Sequence, residues 1–136
     1  MSTKAHDLVL LVEDSDIDAD LLQRVFRRLK PDVKIMRSED GIDALDTLEN
    51  FRPDLIIMDI RMPRMGGLET LELIKQDLRL RSIPVIMMSS SKDQNDISDS
   101  YNRQANAYIV KSFDPRDGNK MENLVRFWLE TAELDN

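Results

Sequence analysis

Four short apolar runs in this 136-residue chain each end directly in a residue that can do chemistry. "LVLLV" (8–12) leads into Glu13 and Asp14, "LIIM" (55–58) into Asp59, "VIMM" (85–88) into Ser89, and "AYIV" (107–110) into Lys111. A carboxylate beside a divalent cation can attack a phosphoryl group and form an aspartyl phosphate. Such transfer needs positioning and charge neutralisation more than further covalent chemistry. Ser89 could donate a hydrogen bond to one phosphoryl oxygen and Lys111 could pair with another. Three carboxylates brought to one place repel, each close pair by about 4 kcal/mol at an effective dielectric of ~20. Lys111 offsets part of this, and a divalent cation would offset the rest. There is no cysteine and the single histidine, His6, sits near the N-terminus. The ligands on offer are therefore hard oxygens, which suit magnesium, or manganese, with waters retained.

For these residues to meet, the chain must bring the ends of the runs together. A fifth run, "VKIM" (33–36), completes the set. Runs of this length between turn signals read as strands buried on both faces. Helical stretches lie between them. Ile17, Leu21, Val25 and Leu29 mark the first, with Ser15 as N-cap. Ile42, Leu45 and Leu48 mark the second, opened by Asp40 or Gly41. Leu68, Leu71, Ile74 and Leu78 mark the third. Residues 93–104 form a fourth, with Ile97 and Tyr101 on one side. Met121, Val125, Trp128 and Ala132, flanked by Leu124 and Leu129, mark the last, and Phe127 points away from that face. Five β-α repeats predict a parallel sheet with right-handed crossovers and helices on both faces. Ligands of such sheets sit at the carboxyl ends of the strands.

Composition narrows the function. Apolar residues make up 41% and charged residues 33%, ordinary for a globular domain. The net charge of −7 argues against a nucleic-acid partner, which wants a basic face. The apolar runs are too short to span a bilayer, and "MSTKAHD" lacks a signal-peptide core. No membrane partner and a cytoplasmic location are expected.

The motifs "VEDSD" (12–16), "DLIIMDIRMPRMGG" (54–67), "PVIMMSS" (84–90) and "AYIVKSF" (107–113), in that order, resemble the receiver domain of two-component response regulators. The resemblance covers roughly residues 7 to 132. It implies a flavodoxin-like doubly wound α/β fold with five parallel strands in the order 2-1-3-4-5, and one receiver domain over 1–136 without an output domain. It also implies roles. Asp59 would be the phosphoacceptor. Asp14 would bind magnesium directly, Glu13 largely through water, and the backbone carbonyl of Arg61 would be a further ligand. Ser89 and Lys111 would bind the phosphate, and Ser89 with Tyr108 would form the switch. The implied partners are a histidine kinase and a downstream protein or phosphotransfer protein. The "KS" pair and "RFWLE" are similar to small stand-alone regulators paired with bacterial phytochrome kinases.

The family usually has Pro after the lysine, joined by a cis bond, whereas here Ser112 follows Lys111. A cis bond before a non-proline residue costs about 2.5–4 kcal/mol. The stretch "SFDPRDGNK" is also unusually polar and long.

Taken singly, most of these residues have plainer explanations. Glu13-Asp14 suits a helix N-terminus, Ser89 a loop, Lys111 and Arg64 an exposed surface, and Gly66-Gly67 a turn. An exposed Phe127 beside the polar fourth helix suggests a homodimer face formed by the fourth helix, fifth strand and fifth helix. Two other functions compete with the signalling switch. A magnesium-dependent phosphohydrolase wants a second acid two residues after its nucleophile, where Arg61 stands, so no enzyme is expected. An interaction module that is never phosphorylated would not need the whole set Glu13, Asp14, Asp59, Ser89 and Lys111.

Overall fold

A computed structural model describes residues 8–131. His6 and Ala132 lie outside the described residues. The chain alternates strand and helix from β1 (Leu8–Val12), α1 (Asp16–Leu29), β2 (Lys34–Ser38) and α2 (Gly41–Leu48) to β3 (Leu55–Asp59) and α3 (Gly67–Gln76). Then come β4 (Val85–Ser89), α4 (Gln94–Asn102), β5 (Ala107–Val110), a 3-10 turn (Pro115–Asp117) and α5 (Lys120–Arg126), which runs on as wider π-type turns over Phe127–Thr131. All pairings are parallel and the order is β2-β1-β3-β4-β5, the flavodoxin-like arrangement expected.

The apolar runs are strands because every second residue faces a different core. Val9, Leu11, Leu55, Ile57, Ile86 and Met88 pack with Leu22 and Phe26 of α1 and Leu124 and Val125 of α5. Leu10, Val12, Ile56, Met58, Val85 and Met87 pack on the other side with Ala44 and Leu48 of α2 and Leu71 and Ile74 of α3. β3 and β4 are buried throughout, whereas the edge strands β2 and β5 are half-buried. β3 and β4 each run one residue beyond the apolar stretch, so Asp59 and Ser89 are themselves the last strand residues.

Helix faces depart from the simple repeat. Ile17 is 73% exposed, and α1 buries Ala19, Leu22, Val25 and Phe26 instead. A strict four-residue series turns about 40° per step at 100° per residue, so Ile17 and Leu29 point about 120° apart. The expected Ser15 cap is present, accepting from the Asp18 N–H at 3.2 Å. α2 starts at Gly41 with Asp40 as its cap. α3 stops at Gln76, because the Asp77 side chain accepts from the N–H groups of Arg79 and Leu80 and turns the chain. Leu78 is therefore exposed and outside the helix. In the last helix the wider turns carry Leu129 into the core, while Trp128 is only partly buried and meets Phe127 edge-on at 5.4 Å.

Gly67 holds the site-bearing strand against α3. A Cβ at that position would lie 2.1 Å from the Asp59 carbonyl oxygen and 2.9 Å from Ile60 Cα. The glycine pair therefore answers to close packing and not only to turn geometry.

Candidate functional site

The carboxyl ends of β1, β3, β4 and β5 converge as the alternation requires. β1 delivers Glu13 and Asp14, β3 Asp59, β4 Ser89, and Lys111 follows β5. Glu13, Asp59 and Ser89 are buried, and Asp14 is exposed. The Lys111 ammonium donates to Asp59 Oδ2 at 2.8 Å, Glu13 Oε1 at 2.8 Å and Asp18 Oδ2 at 2.9 Å. The second oxygens of the two buried acids are also held: Glu13 Oε2 accepts from the Ser15 N–H at 3.1 Å, and Asp59 Oδ1 from the Arg61 N–H at 3.2 Å. Lys111 is fixed from its backbone as well, its N–H donating to the Ser89 carbonyl at 2.7 Å. The Lys111–Ser112 bond is trans, since no described peptide bond is cis. The polar stretch after it folds into a capped turn, with Asp114 accepting from the Arg116 N–H.

Electrostatics follow from this crowding. Burial pushes the Glu13 carboxyl up to about 7, against the opposing hydrogen bond from Lys111. Burial also works against the charge on Lys111, but its bonds to Asp59, Glu13 and Asp18 outweigh that and raise its pKa above the ordinary lysine value. When all are ionised, Glu13, Asp14, Asp18 and Asp59 leave the lysine outnumbered by an excess of negative charge. A divalent cation would relieve that excess. The donors fit one: single oxygens of Glu13, Asp14 and Asp59 lie within 4.8 Å of one another, and all are hard ligands of the kind magnesium and manganese take.

Two flanking structures bracket the acids. On one side, Arg64, in a left-handed conformation (φ 63°), donates from Nε to Asp40 Oδ2 at 2.6 Å, and this pairing holds the Asp40 carboxyl below its usual range. Arg64 is thus exposed yet paired with a buried acid. On the other side, the Arg61 side chain reaches α4 and meets the mostly buried Asp96 at 2.7 Å. Tyr108 lies near that pair. Its hydroxyl donates to the Ser91 carbonyl at 2.8 Å, its backbone N–H donates to Tyr101 Oη at 3.1 Å, and burial raises its pKa. Phe127 is half-exposed beside Tyr108, Ile109, Val110 and Leu124, along an open groove of about 450 Å³.

Sequence reasoning missed Asp18 and Arg37. Asp18 sits on a helix, not at a strand end. Its signal was its place three residues after the Ser15 cap, which puts it in the first turn facing the acids. Arg37 lies near the end of β2, where its guanidinium holds the Glu13 carbonyl at 2.8 and 3.0 Å and reaches Asp16.

Residues 9–122 match the response regulator receiver domain family. The chain belongs to that family. Response regulator Rcp1 of Synechocystis sp. is 36% identical over an aligned length of 135, with 93% of this chain and 92% of Rcp1 covered. The manganese-bound form of Rcp1 superposes with a TM-score of 0.88 at 34% identity, over 96% of this chain and 99% of that one. The phosphorylated cyanobacterial phytochrome response regulator RcpA superposes at 0.89 with 33% identity, over 96% and 99%. This receiver domain is accordingly a signalling phosphoacceptor with an acidic site, and not an enzyme that turns over a small substrate. Among the described residues, no helix is long and apolar enough to cross a membrane.

Proposed function

We propose that Asp59 takes a phosphoryl group from the phosphohistidine of a histidine kinase and that the chain thereby switches the surface formed by β5, α4 and α5. The observation that carries this reading is the Asp59 carboxylate, buried at the end of β3, 2.8 Å from Lys111 and grouped with Glu13 and Asp14. In the transfer, the phosphorus–nitrogen bond of the donor breaks and a bond forms between phosphorus and an Asp59 carboxylate oxygen. The departing imidazole takes up a proton.

Asp14, Asp59 and the Arg61 backbone carbonyl, with Glu13 largely through water, would hold the magnesium or manganese ion, which would neutralise charge on the phosphoryl oxygens. Lys111 pairs with one of those oxygens and Ser89 donates its hydroxyl hydrogen to another. Drawing Ser89 inward moves the loop that carries Ser91. That loop holds the Tyr108 hydroxyl, so Tyr108 changes rotamer with it. The result is a shift between two populations driven by a local charge. Likeness to the phytochrome response regulator RcpA supports a phytochrome-type kinase as donor. Output passes to a protein partner, a phosphotransfer protein or a second copy through the Phe127 face.

The test is intact-protein mass after incubation with acetyl phosphate, with and without magnesium. The expected result is one magnesium-dependent phosphoryl adduct on the wild type and none on Asp59→Asn. A wild type that forms no adduct and also fails to bind beryllofluoride would overturn the reading.

A further inference from the structure

An ammonium has three N–H donors, and Lys111 has placed all three on carboxylates: Glu13, Asp18 and Asp59. A phosphoryl oxygen arriving on Asp59 can bond Lys111 only if an acceptor gives way. The three acceptors are not equivalent. Asp59 becomes the acyl phosphate, so its bond to the lysine passes to its own phosphoryl group. Glu13 shares with Asp14 and Asp59 the cluster whose oxygens lie within 4.8 Å, and a cation there draws on it. Asp18 lies outside that cluster, and neither event claims it. It also stands on a different element. Its backbone is fixed by the α1 cap, with its N–H on Ser15 Oγ at 3.2 Å, and its side chain is 29% exposed against 1% for Glu13 and 9% for Asp59.

We propose that Asp18 is a positioning residue: it keeps the Lys111 ammonium in place while the cation and the phosphoryl group take over the lysine's other two acceptors. It acts through Lys111 and touches neither the donor nor the metal. The proposal rests on Asp59 being the phosphoacceptor. It also makes a prediction opposite in sign to simple electrostatics. Neutralising an acid near an anionic donor should ease the donor's approach and speed the reaction. Loss of an anchor should slow the transfer step and leave donor and metal binding unchanged.

The experiment measures phosphorylation of the full chain by acetyl phosphate with magnesium over a range of donor concentrations. It compares the wild type with Asp18→Asn, Asp18→Glu and Asp20→Asn. Asp20 neighbours Asp18 on α1 but is paired with Arg24 at 2.9 Å, away from the lysine. The expected maximal rate of Asp18→Asn is about tenfold lower, the order of loss when a group that orients a reacting residue is removed. Its half-saturating donor concentration, and its magnesium affinity by calorimetry, stay at wild-type values. Asp18→Glu, which keeps the charge, recovers part of the rate, and Asp20→Asn matches the wild type. An Asp18→Asn maximal rate equal to or above the wild type would overturn the proposal. So would an Asp20→Asn rate lowered as far as that of Asp18→Asn, because the effect would then be one of general charge or helix stability. Absence of any adduct on the wild type is a separate result, and it defeats the phosphoacceptor reading itself.

Discussion

Glu13 is the residue whose setting has the clearest consequence in solution. Its carboxyl ordinarily titrates at 4.5 and burial moves it to about 7 in the folded chain. Between those values the folded state keeps a proton that the unfolded chain has released. Glu13's contribution to stability is therefore fully present below pH 4.5 and is lost as pH rises through about 7. In EDTA, the wild type should lose about 1–3 kcal/mol relative to Glu13→Gln between pH 5 and 7.5. Urea unfolding at several pH values measures this. Parallel curves for the two proteins would contradict it. Because an occupied metal site needs the ionised carboxylate, magnesium affinity should rise over the same interval.

At the scale of elements, the loop from β3 to α3 is the joint on which the site depends. Gly67 brings α3 against the Asp59 backbone, and Arg61 ties the same loop to α4 through Asp96. The atom a Cβ at Gly67 would strike is a backbone oxygen, which cannot rotate away. Gly67→Ala should therefore destabilise the fold by about 1–3 kcal/mol or more. It should also slow phosphorylation by shifting Asp59. Urea unfolding and the acetyl phosphate assay read the two effects, and a wild-type result in both would refute the packing account.

The elements were legible in the sequence to different degrees, for physical reasons. Strands such as "LIIM" stand out because burial on both faces leaves no polar position. The residues at their ends were legible because parallel topology gathers strand ends. Helix faces were less so, since the four-residue series through Ile17 drifts around the axis and the π turns at Phe127 shift the register. Asp18 and the Arg61–Asp96 pair escaped notice because they join a helix to a loop or a strand end, and no local spacing records such a contact.

At the scale of the whole molecule, β5 is an edge strand and its four residues are all half-buried. Beside it runs the groove that carries Phe127, Trp128 and Leu124. If this face pairs two copies, the beryllofluoride-loaded wild type should sediment as a dimer and Phe127→Ala should shift it toward monomer. A wild type that stays monomeric at every concentration, loaded or not, would rule the dimer out.

The sheet also divides the interior in two. Ile56 and Ile57 are adjacent in the chain, yet Ile56 lies in the core shared with α2 and α3 and Ile57 in the core shared with α1 and α5. Their methyl resonances are thus two reporters separated by a single peptide bond, each listening to one side of the molecule. A signal that leaves through one side should move one of them and spare its neighbour, so the direction in which the message travels can be read from a pair of adjacent isoleucines.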